Sequence, residues 1–175
     1  MPYRIAINGY GRIGRCILRA FYESNEYLDL KIVAINDIAD TRTLAHLTQY
    51  DSTHGRFLGT VAESDNALVI NEDVIKVSNK HELRELPWRE LNIDMVMECS
   101  GTFTARSQAE QYLEKGIKKV LFSQPAESDV DATLVYGINH ESLDKNAKII
   151  SNASCTTNCI VPVLKALDDQ FGIDK

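Results

Sequence analysis

Apolar and polar positions along this chain follow two periods, with strand-length apolar runs alternating with stretches of helical spacing. Tyr3–Asn8 reads as a strand, and Arg12–Glu23 follows with Ile13, Ile17, Leu18 and Phe21 on one helical face. Lys31–Asn36 is a second strand of buried type, and Thr41–Tyr50, with Leu44, Ala45 and Leu47, is a short helix. The texture changes over Thr53–Val77, where Gly55, Gly59 and the runs Leu68–Ile70 and Val74–Val77 predict hairpins inserted into the α/β pattern. Asp94–Glu98 is strand-like, Ala105–Lys115 helix-like and Lys119–Phe122 strand-like, with short strands at Ala132–Tyr136 and Lys148–Ile150. Thr156–Phe171 places Ile160, Val163, Leu164, Leu167 and Phe171 on one face of a last helix, which Pro162 deprives of a hydrogen bond and Gly172 terminates. The alternation predicts one α/β domain over residues 1–175, with a mostly parallel sheet, helices on both faces and inserted short hairpins.

Composition narrows the partners. With 175 residues, 44% of them hydrophobic and 25% charged, the chain is of ordinary globular type. A net charge of -6 weighs against nucleic acid and anionic membrane as partners. The apolar run at the amino terminus is too short for a signal-peptide core, and no stretch approaches the roughly 20 apolar residues of a membrane span. A soluble, cytoplasmic chain is expected. Its cysteines (Cys16, Cys99, Cys155 and Cys159) then read as free thiols. Cys155 and Cys159 make a poor metal pair, because no Cys or His cluster completes a tetrahedral set, so no metal site is expected. Trp88 reads as a packing anchor, and the mixed charges of Glu82–Glu90 as a solvated face.

The first chemical signature is Gly9-Tyr10-Gly11-Arg12-Ile13-Gly14, a G-x-G-x-x-G between a predicted strand and a predicted helix. One glycine permits the tight turn, one lets backbone approach a pyrophosphate, and one allows close helix–strand packing. The helix terminus offers free N–H groups and a positive dipole to phosphates, with Arg12 and Ile13 beside the cofactor. Asp37, at the end of the second strand and 23 residues beyond Gly14, suits the ribose hydroxyls of a dinucleotide and would repel a 2′-phosphate. The pattern therefore predicts a Rossmann-type NAD site. Ser100 and Ser123, each just past a strand end, read equally as cofactor contacts or as plain loop residues.

The second signature is Ser151-Asn152-Ala153-Ser154-Cys155-Thr156-Thr157-Asn158-Cys159, which joins a strand to the last helix. A thiol at a helix N-terminus gains thiolate character from the dipole and is a candidate nucleophile. Ser154 and Thr156 can hold a substrate phosphate or an oxyanion. Spacing alone leaves Cys155 open between nucleophile and buried structural thiol. Cys159, one turn deeper, reads as packed. None of the four histidines sits in a motif that pairs it with Cys155.

The stretches Ala6–Arg15, Tyr50–Phe57 and Ser151–Cys159 together resemble the glyceraldehyde-3-phosphate dehydrogenase superfamily over the whole chain. Within it, Leu86–Leu91, Phe122–Pro125 and Asp131–Gly137 are more similar to the D-erythrose-4-phosphate dehydrogenase branch, which serves pyridoxal phosphate synthesis. The resemblance implies NAD contacts from Arg12, Ile13, Asp37 and Ser123, Cys155 as nucleophile, and Ser154 and Thr156 on the phosphorylated aldehyde. It implies a thiohemiacetal oxidised to a thioester, then hydrolysed in the erythrose branch or phosphorolysed in the glyceraldehyde branch. A family arginine that contacts NAD falls near Lys80-His81, where this sequence has none. Family members are longer, two-domain subunits of homotetramers, and their general-base histidine lies further from the cysteine than Lys175. The chain is therefore expected to be a cofactor-binding half without its substrate domain. Glyceraldehyde 3-phosphate as substrate, and a non-catalytic NAD-binding module, are the rival readings.

Overall fold

A computed structural model describes residues 2–24, 26–27 and 29–174. The glycine turn lies between β1 (Tyr3–Asn8) and α1 (Arg12–Ser24), followed by β2 (Leu30–Asn36), α2 (Thr41–Gln49) and a small hairpin of β3 (Tyr50–Asp51) and β4 (Gly55–Arg56). Next come β5 (Val61–Ser64), β6 (Ala67–Ile70), β7 (Asp73–Ser78), β8 (Met95–Glu98), α3 (Arg106–Glu114) and β9 (Lys119–Phe122). The described chain ends with β10 (Ala132–Thr133), β11 (Ile149–Ser151) and α4 (Cys155–Phe171).

Nine strands form one sheet in the order β10-β11-β9-β8-β1-β2-β7-β6-β5. From β10 to β7 every neighbouring pair is parallel, and β6 and β5 then add on antiparallel. The predicted hairpins thus extend the main sheet instead of standing apart from it. Their tight turns place Asn66 and Asn71 at φ 50° and 54°, a left-handed conformation that Asn adopts more readily than most residues.

Side-chain alternation assigns each face a helix layer. Ile5 and Ile7 of β1 pack with Leu18 of α1, Leu44 of α2 and Phe57. Ala6, between them, faces Ala109 and Tyr112 of α3 on the opposite side. A register shift opposite Ile5/Ala6 inserts Val33 into β2, so Val33 and Ala34 share one face while Ile32 and Ile35 share the other.

Three sequence expectations are corrected. Glu82–Glu90 is not a solvated face: Leu83, Leu86 and Trp88 are buried, and Trp88 stacks on Tyr112 at 5.2 Å. Arg84 and Glu85 face outward on a one-turn 3-10 helix over Leu83–Glu85, while Leu83, Leu86 and Trp88 join the core against the sheet. Ala132–Tyr136 is a strand only to Thr133, because the Asn139 side chain then takes the Val135 N–H at 2.8 Å and turns the chain. Third, Cys159 of α4, expected to be packed, is exposed, and α4 joins neither core cluster of the described residues. No α4 residue is buried, and Phe171 is 82% exposed. Gly172, at φ 70°, ends α4 as expected, with its N–H on Asp168 O at 2.9 Å.

Replacing Trp88, the sole tryptophan, by alanine should cost about 3–5 kcal/mol in urea unfolding followed by circular dichroism, from lost burial and the cavity left behind. Asp131 fastens β10 to β11 by accepting N–H bonds from Lys148 and Ile149, and it pairs with Arg106 at 2.8 Å. The Lys148 N–H is the largest of the influences that draw its pKa down to about 2. Ionised Asp131 therefore adds stability above the ordinary carboxyl value of about 3.8, and that stability is lost as pH falls through about 2. Urea midpoints of Asp131→Asn should lie below those of the parent chain at pH 7 and converge with them near pH 2.

Candidate functional site

All strands from β7 to β10 run parallel, so their C-terminal ends share one edge of the sheet. Strand order reverses beside β1: β2 lies on one side of it and β8 on the other. Where neighbouring connections diverge in this way, a crevice opens at the strand ends. Here it has a volume of about 350 Å³ and is lined by Gly9, Gly11, Asp37 and Ser100 of the sequence-derived set.

Each glycine of the turn has a separate reason. Gly9 has φ 86°, and a Cβ there would collide with the Ser100 backbone. A Cβ on Gly14 would strike the carbonyl of Gly9, so Gly14 is what allows α1 to seat against β1. At Gly11 a Cβ would meet nothing within 4 Å: the residue faces the open crevice, where its bareness serves only an approaching ligand. The Arg15 N–H is the first to close a helical turn, onto Gly11 O at 3.1 Å. By helix geometry the N–H groups before it are left for an anion. The turn thus offers the bare backbone and free N–H groups that a pyrophosphate requires.

Asp37 lines the crevice, and it also braces the turn. Its Oδ2 accepts the Tyr10 N–H at 2.6 Å and its Oδ1 the Ala39 N–H at 2.9 Å. Each oxygen keeps a second lone pair for a ribose hydroxyl. Arg12 points outward, 3.3 Å from Asp51, whose carboxyl the His54 and Thr53 N–H groups and Arg12 hold below its ordinary pKa. Ile13 is half exposed at the helix start. Ser123 follows β9, donates its N–H to Glu98 O at 3.0 Å and does not line the crevice.

The cysteine turn stands further along the same edge, past β9 and at the end of β11. Three strand spacings separate it from β1, roughly 15 Å. Ala153 is buried at φ 56°, a left-handed kink that throws the chain from β11 into α4. Ser154 caps α4 by accepting the Thr157 N–H at 2.9 Å, and its hydroxyl lies 2.9 Å from that of Thr156. Asn158 bonds back to Asn152 O at 2.7 Å and Ser154 O at 3.0 Å, which fixes the turn. Cys155 opens the helix and is exposed in the described residues. Ser154, Cys155 and Thr156 do not line the glycine crevice. Cys159, expected to be packed, is exposed too, because no layer of the described residues covers α4.

The fold brings further residues to this crevice, of which the sequence singles out only Lys80 and His81. Asn36, Ile38, Lys80, His81, Thr102 and Phe103 line the crevice. Lys80 and His81 line the same crevice as Asp37, near the position where the family resemblance places an NAD-contacting arginine. Among the described residues no group of three or more His, Cys, Asp or Glu is placed to hold a metal. Among them, too, no helix is long and apolar enough to cross a membrane.

Gly11→Ala should leave the urea midpoint within about 0.5 kcal/mol of the parent, as at an open surface position. Gly14→Ala should cost about 1–3 kcal/mol through overpacking. Isothermal calorimetry should show NAD binding weakened roughly tenfold or more in both, since each disturbs the phosphate turn. The thiols should also separate. Burial pushes the Cys99 thiol up to about 12, so brief iodoacetamide treatment at pH 8 followed by peptide mapping should leave it unlabelled. Cys155 should be labelled first, ahead of Cys159 one turn later.

The family model described as the NAD binding domain of glyceraldehyde 3-phosphate dehydrogenase matches residues 3–106, from β1 to the first residue of α3. The model of that enzyme's C-terminal domain matches residues 154–175, from the Ser154 cap onward. The first match alone takes in more than half of the chain and the whole glycine crevice, so this chain belongs to the glyceraldehyde 3-phosphate dehydrogenase family and its dinucleotide is NAD.

Proposed function

We propose that residues 1–175 are the NAD-binding half of a dehydrogenase that oxidises D-erythrose 4-phosphate to 4-phosphoerythronate, a step toward pyridoxal phosphate. The observation that carries the dehydrogenase reading is the shared edge. A turn whose bare Gly11 faces open space and an exposed thiol at a helix start lie along the ends of the same parallel strands. When bound, NAD supplies a two-electron acceptor for hydride.

This chain's residues do the remaining work. Gly9, Gly11 and Gly14, with the α1 terminus, hold the pyrophosphate, and Asp37 accepts from the ribose hydroxyls. Arg12 and Ile13 flank the cofactor, and Ser100 and Ser123 follow it along the strand ends. The Cys155 sulfur attacks the aldehyde carbon, and the α4 N-terminus faces the oxyanion that forms. Ser154 and Thr156 present hydroxyls to the substrate phosphate beside it. Their mutual 2.9 Å contact is one that an anion can replace. The general base and the remaining substrate contacts belong to the substrate domain of a homotetrameric parent enzyme. The cytoplasm is the compartment this reading assigns, with no nucleic acid or membrane as partner.

The erythrose substrate is favoured by the likeness of Leu86–Leu91, Phe122–Pro125 and Asp131–Gly137 to that branch. Phe122–Pro125 leads directly off β9 between the two signatures, and Gln124 O accepts from Ser151 Oγ at 2.9 Å. Calorimetry should show saturable binding of NAD to this chain, and a folded sample without it would reject the reading. Protection of Cys155 against iodoacetamide should be stronger with D-erythrose 4-phosphate than with glyceraldehyde 3-phosphate. The reverse order would assign the chain to the glyceraldehyde branch, and no protection by either would favour a binding module without chemistry.

A further inference from the structure

We propose that Glu98 is the positioning residue of the cofactor crevice, setting the wall opposite the glycine turn through Ser100. The proposal rests on the NAD-binding reading of that crevice. Glu98 ends β8, is wholly buried and belongs to no motif. A buried carboxylate is costly unless its lone pairs are met, and here both oxygens are doubly met. Oε1 accepts the Ser100 N–H at 2.9 Å and the Ser100 hydroxyl at 2.5 Å. Oε2 accepts Asn8 Nδ2 at 2.7 Å and the Tyr112 hydroxyl at 2.6 Å. The network continues from Asn8 Oδ1 to Asn36 Nδ2 at 2.8 Å, and from Asn36 to Lys80. One side chain thus ties α3 and the ends of β1, β2 and β8 together beneath the crevice.

Its two oxygens face opposite ways, and that is what makes it a positioner. The Oε2 side is anchored in the core, where burial and the neighbouring Glu98 carboxylate hold the Tyr112 hydroxyl protonated as a donor. The Oε1 side holds Ser100 against Gly9, where there is no space even for a Cβ. The Ser100 hydroxyl in turn accepts the Thr102 N–H at 3.1 Å, so the wall of Cys99, Ser100 and Thr102 takes its shape from Glu98. A glutamine fills the same volume but must turn its NH₂ toward the donors on one of the two sides.

The test uses this chain in Glu98→Gln and Glu98→Asp forms, with NAD calorimetry and amide hydrogen exchange. Glu98→Gln should bind NAD about tenfold more weakly, with exchange at the 100–102 amides at least tenfold faster and that of Ile5–Ile7 unchanged. Glu98→Asp, which keeps two acceptor oxygens, should recover affinity to within about threefold of the parent. A folded Gln variant with parental affinity and parental exchange at 100–102 overturns the proposal, as does an Asp variant no better than Gln. Should Glu98→Gln fail to fold, Tyr112→Phe takes its place. It removes one donor remote from the crevice and should speed exchange at 100–102 and weaken NAD about threefold, whereas unchanged values overturn the proposal. If the parent chain itself does not bind NAD, the cofactor reading fails, and the exchange of the wall still decides the role of Glu98.

Discussion

The contact of the Gly9 turn with the Ser100 backbone governs this structure. β1 and β8 are neighbours, yet the chain leaves β1 toward one face of the sheet and β8 toward the other. Their ends must touch and then part. The touching demands a residue without a side chain at Gly9, and the parting opens the crevice. Gly14 makes the same demand one turn later, where α1 comes down on the Gly9 carbonyl. Fold and dinucleotide site are therefore consequences of one packing constraint.

Such an arrangement leaves many backbone and side-chain dipoles close together at low solvent exposure, and the sequence answers with polar residues at the strand ends. Asn8, Asn36 and Glu98 are all buried and all hydrogen-bonded. Asp37 spends one lone pair of each oxygen on backbone N–H groups of the turns it faces. The crevice floor is thereby rigid before any ligand arrives, which lowers the ordering cost of binding. The same burial that protects this network pushes the Cys99 thiol up, whereas Cys155 at the other end of the edge is exposed.

At that other end the local structure is ordered while the packing is open. The Ala153 kink, the Ser154 cap and the Asn158 bonds hold Cys155 at the helix start, and the Asn152 N–H on Phe122 O and the Ser151 hydroxyl on Gln124 O tie the turn to the end of β9. Ile160, Val163, Leu164 and Leu167 meanwhile present an apolar stripe that the described residues leave bare. Matches to the family's C-terminal domain begin at the same cap, so α4 carries the local order of one unit and the unfilled face of another.

Much of this was legible in the chain itself, because it rests on local rules. Periodicity located β1, α1, β2, β8, α3 and β9 to within a residue or two, since their apolar faces must meet a core on one or both sides. The glycine spacing and the thiol at the start of the last helix were equally readable, as each answers to backbone geometry within a few residues. What needed the tertiary structure was anything that depends on which elements become neighbours. Trp88 was legible as an anchor, but the charges around it hid the burial of Leu83 and Leu86, because only the covering of the sheet reveals which side of a 3-10 turn faces inward. Cys159, one turn into α4, read as packed but is exposed, because depth in a helix does not say whether another layer covers it. Lys80, His81 and Phe103 line one crevice, with Glu98 buried beneath it, although no spacing links them, for strand order alone brings these segments together. The sequence by itself determined the elements, the phosphate turn and the thiol at a helix start. The tertiary structure decided which wall faces that turn and what holds it there, because burial and long-range hydrogen bonds arise only when distant segments pack.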